Sequence, residues 1–261
     1  MSRLDNRVAV VTGAARGLGE GAARALARQG AVVICTDVLD ASSVAADLPA
    51  SPDGRAAEAM QLDVSDTKQV EDVIAEIAEK YGSIDILANI AGVAQPIADL
   101  IDTSEEVIER VLGINVEGVI ACSRAVGRLM RSQRHGRIIN TASQVGKSAW
   151  PGWGIYCISK AAVISITQVL ALELAPYNVT VNCICPGTMV TDMTHGGFSE
   201  TAAQLGRDAE ELLREKAESI PLGRMGTATD MGNMVAWIAS EEASFTTGAA
   251  FNLTGGEAVF F

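Results

Sequence analysis

The chain has 261 residues, 48% of them hydrophobic, and its formal net charge of −12 reflects a clear excess of acidic over basic side chains. That length suits one α/β domain with a sizeable core, or two small ones. The acidic balance disfavours binding to nucleic-acid backbones or anionic lipid, and no apolar run approaches the roughly 20 residues that span a bilayer.

In chain order, residues 7–12 form a β-branched run suited to a buried parallel strand. It leads directly into Gly13-Ala14-Ala15-Arg16-Gly17-Leu18-Gly19. A helical pattern follows, with Leu18, Ala22, Ala25 and Leu26 on one side, ending near Gln29-Gly30. Strand, glycine turn and helix are the context of a phosphate cradle: glycines admit close backbone approach, and the free amides of a helix start attract an anion. The spacing only partly matches the usual G-x-G-x-x-G pattern. A second strand at 31–36 closes on Asp37, about 20 residues past the glycines, where a carboxylate can bind a ribose 2′-hydroxyl and repel a 2′-phosphate. Asp37 therefore argues for NAD over NADP. Arg16 is the counter-argument, since a guanidinium in the loop can pair with a 2′-phosphate.

Further strands are predicted at 56–62, 84–88, 137–141, 180–184 and 249–253. Helices are predicted at 67–81, 104–132, 154–175, 200–219 and 229–239. The alternation predicts a single α/β domain, a doubly wound parallel sheet of about seven strands flanked by helices. Nothing marks a linker or a repeat. Within the helix at 154–175, Tyr156 and Lys160 stand at i and i+4 and share a face. A neighbouring cation favours an ionised phenol and brings it toward the working range of an acid–base catalyst.

His135 and His195 have no metal-ligand spacing, so no metal site is predicted. His135 is read as a solvated turn residue and His195 as part of a mobile substrate lid near 188–220. No G-x-S-x-G elbow supports a hydrolase. The polar start Met1-Ser2-Arg3-Leu4-Asp5 lacks a signal-peptide core. Cys35, Cys122, Cys157, Cys183 and Cys185 fit reduced, buried thiols, and a cytoplasmic location is expected.

Together these residues resemble the short-chain dehydrogenase/reductase family along nearly the whole chain. Thr12 to Gly19 is similar to its T-G-x-x-x-G-x-G loop, which implies cofactor contacts from Gly13, Arg16, Gly17, Leu18 and Gly19. The resemblance places Asp63 and Val64 at the adenine ring. Asn89-Ile90-Ala91-Gly92 matches the family's N-N-A-G turn except at Ile90, implying cofactor contacts at Asn89, Ala91 and Gly92. Asn115, Ser143, Tyr156 and Lys160 fall where the family has its catalytic four. Pro186, Gly187 and Thr191 match the segment that grips the nicotinamide carboxamide. Ser143-Gln144-Val145-Gly146 and Pro221-Leu222-Gly223-Arg224-Met225-Gly226 look most like NAD-dependent polyol dehydrogenases.

The resemblance implies one domain over 1–261, with a nucleotide-binding half over about 1–100 and a catalytic half over about 101–261. It implies that Tyr156 removes the alcohol proton as hydride passes to NAD. Lys160 would lower the phenol pKa and hold the ribose hydroxyls, Ser143 would donate to the reacting oxygen, and Asn115 would hold a relay water. Gln144, Ser143, Tyr156 and Trp153 are the expected substrate contacts, with Trp150 and the lid residues Met189 and Met193 as weaker candidates. Family members pair helices like those at 104–132 and 154–175, so a homodimer or homotetramer is expected, with the apolar end Glu257-Ala258-Val259-Phe260-Phe261 docking at a subunit contact. Three functions stand open: an NAD-dependent polyol or secondary-alcohol dehydrogenase, a 3-oxoacyl-thioester reductase, and a non-catalytic dinucleotide sensor. No nucleic acid or membrane partner is expected.

Overall fold

The computed structural model describes residues 4–259; the start at residues 1–3 and the end at Phe260 and Phe261 lie outside the described residues. Strand β1 (Val8–Thr12) shows why the sheet is central. Val8 and Val10 pack on one face, Ala9 and Val11 on the other, and all four are buried. A strand that is apolar on both faces requires helices on both. Helices α1 (Gly17–Arg28) and α9 (Ala228–Ala239) cover one side. Helices α3 (Thr67–Tyr81) and α5 (Gly118–Gln133) cover the other.

The remaining strands are β2 (Val32–Asp37), β3 (Glu58–Gln61), β4 (Ile86–Asn89), β5 (Gly136–Thr141), β6 (Val179–Pro186) and β7 (Ala250–Leu253). They join β1 in one seven-stranded sheet of order β3-β2-β1-β4-β5-β6-β7, with every pairing parallel. The expected doubly wound architecture is present. The winding reverses between β1 and β4, and a crevice opens beyond the carboxyl ends of strands at such a point. Register sets Thr12 beside both Thr36 and Asn89, so the glycine loop, Asp37 and the turn after β4 emerge level.

Three helix expectations change. The predicted helix at 104–132 is α4 (Glu105–Leu112) and α5 joined by a wide π-helical turn, Gly113–Glu117, centred on Asn115. The predicted helix at 200–219 is two, α7 (Asp192–Leu205) and α8 (Ala209–Ser219), separated where Gly206 takes a left-handed φ of 64°. His195 therefore sits on a helix, not in a loop. A short α2 (Ser42–Ala46) was not anticipated.

Helix α6 (Gly154–Leu174) corrects another expectation. The segment Gly154–Tyr177, of mean hydropathy 1.7, is long and apolar enough by length and composition to cross a membrane. Ser159, Ser165 and Thr167 interrupt its apolar runs without lowering the average much. In the fold one face of it packs into the core: Val163 packs against Cys183 and Cys185, and the Thr167 hydroxyl accepts from the buried Asn140 amide at 3.0 Å.

Helices α1 and α9 meet backbone against backbone. A methyl at Gly21 would run into the Ala228 carbonyl, and one at Gly232 into the Gly21 carbonyl.

Candidate active site

The crevice at the switch point is a cleft of about 990 Å³ running from Asp37 to Trp153. Its nucleotide end is built from backbone. Gly13 and Gly17 take left-handed φ values of 69° and 59°, which glycine adopts without strain. A Cβ on Gly13 would lie 2.8 Å from the Ala91 Cα, and one on Gly19 would strike the Gly13 carbonyl. Helices α3, α8 and α9 carry side-chain caps from Asp66, Asp208 and Thr227, whereas α1 has none. Its first amides are thus left for an anion, as a pyrophosphate requires.

Asp37 ends β2 with one carboxylate oxygen accepting from the Ala15 amide and the other from the Leu39 amide, both at 3.0 Å. The carboxylate is fixed at the edge of the cleft, where it could accept from a ribose hydroxyl. The Arg16 guanidinium is turned across the mouth to Asp192 at 2.8 Å. Gly13, Gly17, Leu18, Gly19, Asp63, Val64, Ala91, Gly92, Pro186, Gly187 and Thr191 also line the cleft. These residues fit a dinucleotide.

Asn89 does not. Its side chain is buried and donates to Ser123 Oγ at 3.0 Å and Asn140 Oδ1 at 2.8 Å. The turn that follows is held instead by Thr12, whose hydroxyl accepts from the Ile90 and Ala91 amides. Thr12 was not singled out for this task, although its place at the end of β1 was visible.

At the chemical end, Ser143 follows β5 and Tyr156 and Lys160 lie one turn apart on α6. Ser143 stands beside the Tyr156 phenol and favours its ionised form. Lys160 Nζ lies 5.6 Å from the Tyr156 ring centroid and donates to the Thr141 carbonyl at 2.9 Å. Burial pushes the phenol up to about 12, opposed by Ser143, and lowers the ammonium to about 8. Burial thus opposes the ionised phenol that a neighbouring Lys160 was expected to favour.

Asn115 is buried beside this group but its side chain does not line the cleft. Both of its amide hydrogens are used, on the Val93 carbonyl at 2.9 Å and Ser159 Oγ at 3.1 Å, and its Oδ1 accepts from the Val93 amide. The side chain staples the β4 turn to α6. Gln95, unremarked in the sequence, accepts from the Tyr156 amide at 2.8 Å and so satisfies a free donor at the start of α6.

Trp153 stands edge-on to Tyr156, with centroids 5.8 Å apart, and lines the cleft together with Gln144. Trp150, Met189, Met193 and His195 also reach the cleft. His135 does not: it is half-buried 4.0 Å from Asp85, and burial lowers its pKa, so it is not the solvated residue expected. Lys216 also lines the cleft and is paired with Glu257 at 2.6 Å; neither was anticipated. No motif marks them, since only folding brings α8 and the last loop together.

A nucleotide cradle opening onto a buried serine, tyrosine and lysine defines a dinucleotide-dependent oxidoreductase. The family model described as Enoyl-(Acyl carrier protein) reductase matches residues 13–257. Sorbitol dehydrogenase of Cereibacter sphaeroides is 37% identical over 255 residues, covering 97% of this chain and 98% of that protein. The 3-oxoacyl-(acyl-carrier-protein) reductase of Thermotoga maritima is 36% identical over 260 residues, covering 97% and 98%. Among solved structures, NAD⁺-bound xylitol dehydrogenase superposes with a TM-score of 0.88 at 32% identity, covering 97% of this chain and 99% of that one. The chain belongs to the short-chain dehydrogenase/reductase family.

Proposed function

We propose that the chain is an NAD-dependent dehydrogenase of polyols or small secondary alcohols. The observation that carries this reading is the grouping of Ser143, Tyr156 and Lys160 on the wall of one cleft whose other end closes on Asp37. Asp37 supports NAD, because its fixed carboxylate would oppose a 2′-phosphate and the nearest guanidinium is already paired with Asp192. The sorbitol dehydrogenase and xylitol dehydrogenase relatives support the substrate class.

Bound NAD supplies the hydride acceptor and a positive charge beside the substrate. Ser143 donates to the substrate oxygen and orients it. The ionised Tyr156 oxygen takes the hydroxyl proton as the carbinol C–H bond breaks, and two electrons leave with the hydride to give a carbonyl product. Lys160, cationic below about pH 8, favours that ionised state. In reverse, the protonated phenol gives its proton to the carbonyl oxygen. Asn115 and Gln95 hold the β4 turn and the start of α6 so that these atoms stay in register.

Purified protein with NAD or NADP, offered polyols, secondary alcohols and 3-hydroxyacyl thioesters, tests the reading by nicotinamide absorbance. Turnover with NAD and a polyol supports it. Turnover only with NADP and the thioester selects the acyl-thioester reductase reading, to which the Thermotoga relative belongs.

The chain is further proposed to work as a homodimer or homotetramer. Leu172, Val169 and Ile158 on α6 and Ile120 on α5 are exposed apolar side chains that a second copy would cover. Solution mass by light scattering tests this. A cytoplasmic setting is supported by five buried, unpaired cysteines.

A further inference from the structure

Helices α7 and α8 form a hairpin that leaves the sheet between two feet. The feet are held side by side, the Val190 amide donating to the Gly226 carbonyl at 2.8 Å and the Gly226 amide to the Thr188 carbonyl at 3.0 Å. Beyond them, Met193, Thr194, His195 and Phe198 of α7 and Lys216 of α8 line the catalytic cleft. The hairpin is thus one wall of that cleft.

Among the described residues, two ion pairs tie the hairpin to the body of the protein. Asp192 at the start of α7 meets Arg16 of the glycine loop, and Lys216 near the end of α8 meets Glu257 in the loop after β7. Their settings differ. The Arg16 and Asp192 side chains are 66% and 76% exposed, so water and salt screen that pair. Those of Lys216 and Glu257 are 24% and 8% exposed, and their charges meet at 2.6 Å with little water to compete.

Glu257 is fixed on the body independently of Lys216. One carboxylate oxygen accepts from the Thr188 amide at 2.7 Å and the other from the Thr188 hydroxyl at 2.9 Å. Gly187 permits this approach, since a Cβ there would sit 2.7 Å from the carboxylate. Burial alone would raise the carboxyl, but the bonds from Lys216 and Thr188 outweigh that and hold it below the ordinary value. The same Lys216 ammonium lies 5.6 Å from the centre of the Trp150 ring, which also lines the cleft. One cation therefore joins the hairpin to the last loop and to the segment that precedes Tyr156.

We propose that Lys216 is a positioning residue, the latch that holds the α7–α8 hairpin down on the cleft, and that the breaking of its pair with Glu257 sets how fast reduced cofactor leaves. This deepens the dehydrogenase reading above and rests on it. Lid opening rather than chemistry limits turnover in many enzymes, and here the opening step has a named bond.

Stopped-flow fluorescence of bound NADH, displaced by excess NAD, reads release directly and needs no substrate. K216M keeps the stem against Trp150 but removes the charge, and release should quicken by about tenfold. K216R keeps the charge and should stay within about threefold of the wild type. E257Q should match K216M, and the double variant K216M/E257Q should release no faster than K216M alone, because both act through one bond. D192N opens the exposed pair and should change release by no more than about fivefold. First-turnover hydride transfer from a saturating polyol should hold within about twofold in K216M, since the latch governs opening and not the reacting atoms.

Release unchanged in K216M, as fast in K216R as in K216M, or faster in D192N than in K216M would overturn the proposal. So would a first-turnover rate that falls as far as release rises, the mark of a distorted site. If E257Q does not fold, the contrast between K216M and K216R decides. A wild-type chain that binds NADPH and not NADH would remove the NAD reading alone, and release of NADPH from the same variants would then decide the latch.

Discussion

The Lys160 ammonium sits 5.6 Å from the centre of the Tyr156 ring and is buried, with the Thr141 carbonyl as its hydrogen-bond acceptor. Its pKa falls from 10.5 to about 8 through burial. A folded value below the unfolded one means that enclosure of the charge costs stability in full below about pH 8, and that the cost fades as pH rises toward 10.5. Lys160→Met should abolish turnover yet raise stability at pH 7, on the order of 2 kcal/mol after allowing for the Thr141 carbonyl left unpaired. Chemical denaturation at pH 7 and pH 10 checks this; the gain should shrink at the higher pH.

Burial pushes the Tyr156 phenol up to about 12. Alcohol oxidation needs the ionised oxygen and carbonyl reduction the protonated one. The oxidation rate should climb with pH through the alkaline range while the reduction rate does not. Tyr156→Phe should abolish both directions with NAD affinity retained, as read by fluorescence titration and absorbance.

Cofactor choice should respond to two carboxylates at once. Asp37→Ser removes the charge facing a 2′-phosphate, and Asp192→Asn releases Arg16, whose exposed ion pair is worth about 1 kcal/mol or less. Each change should raise the NADP-to-NAD ratio of kcat/KM, Asp37→Ser by about tenfold or more. The double variant should go furthest. A ratio unmoved by Asp37→Ser would count against the NAD assignment.

Asn115→Ala should lower stability as well as activity. It strands the Val93 amide and carbonyl, a loss of about 2–3 kcal/mol, while the Ser159 hydroxyl keeps its bond to the Tyr156 carbonyl. Thermal unfolding reads the first effect and steady-state kinetics the second. A variant with wild-type stability and no activity would place Asn115 in the chemistry alone.

The parts of the site legible in the sequence are those whose geometry is local. Gly13, Gly17 and Gly19 are required by one turn, Asp37 by the end of one strand, and Tyr156 with Lys160 by one helical turn. Each is fixed within a few residues. The inward turn of the Asn89 side chain was not legible, because a motif gives a position in the chain and not the face of the strand on which the side chain emerges. The π turn at Asn115 escaped notice because a helix with one extra residue keeps almost the same apolar pattern. Lys216 and Glu257 belong to separate elements that meet only through the packing of α8 against the final loop, and no spacing in the chain encodes that meeting. The parallel sheet itself was plain from doubly apolar runs such as Val8 to Val11.

The backbone contact between Gly21 and Gly232 also governs when this protein can fold. Helix α1, which presents the cofactor cradle, is locked by α9, made some two hundred residues later. At synthesis rates of roughly 5–20 residues per second, the nascent chain spends on the order of ten seconds or more with that face bare. The nucleotide site is therefore among the last features to mature on the ribosome. A truncated message would yield a fragment carrying every glycine of the loop and no durable grip on the dinucleotide.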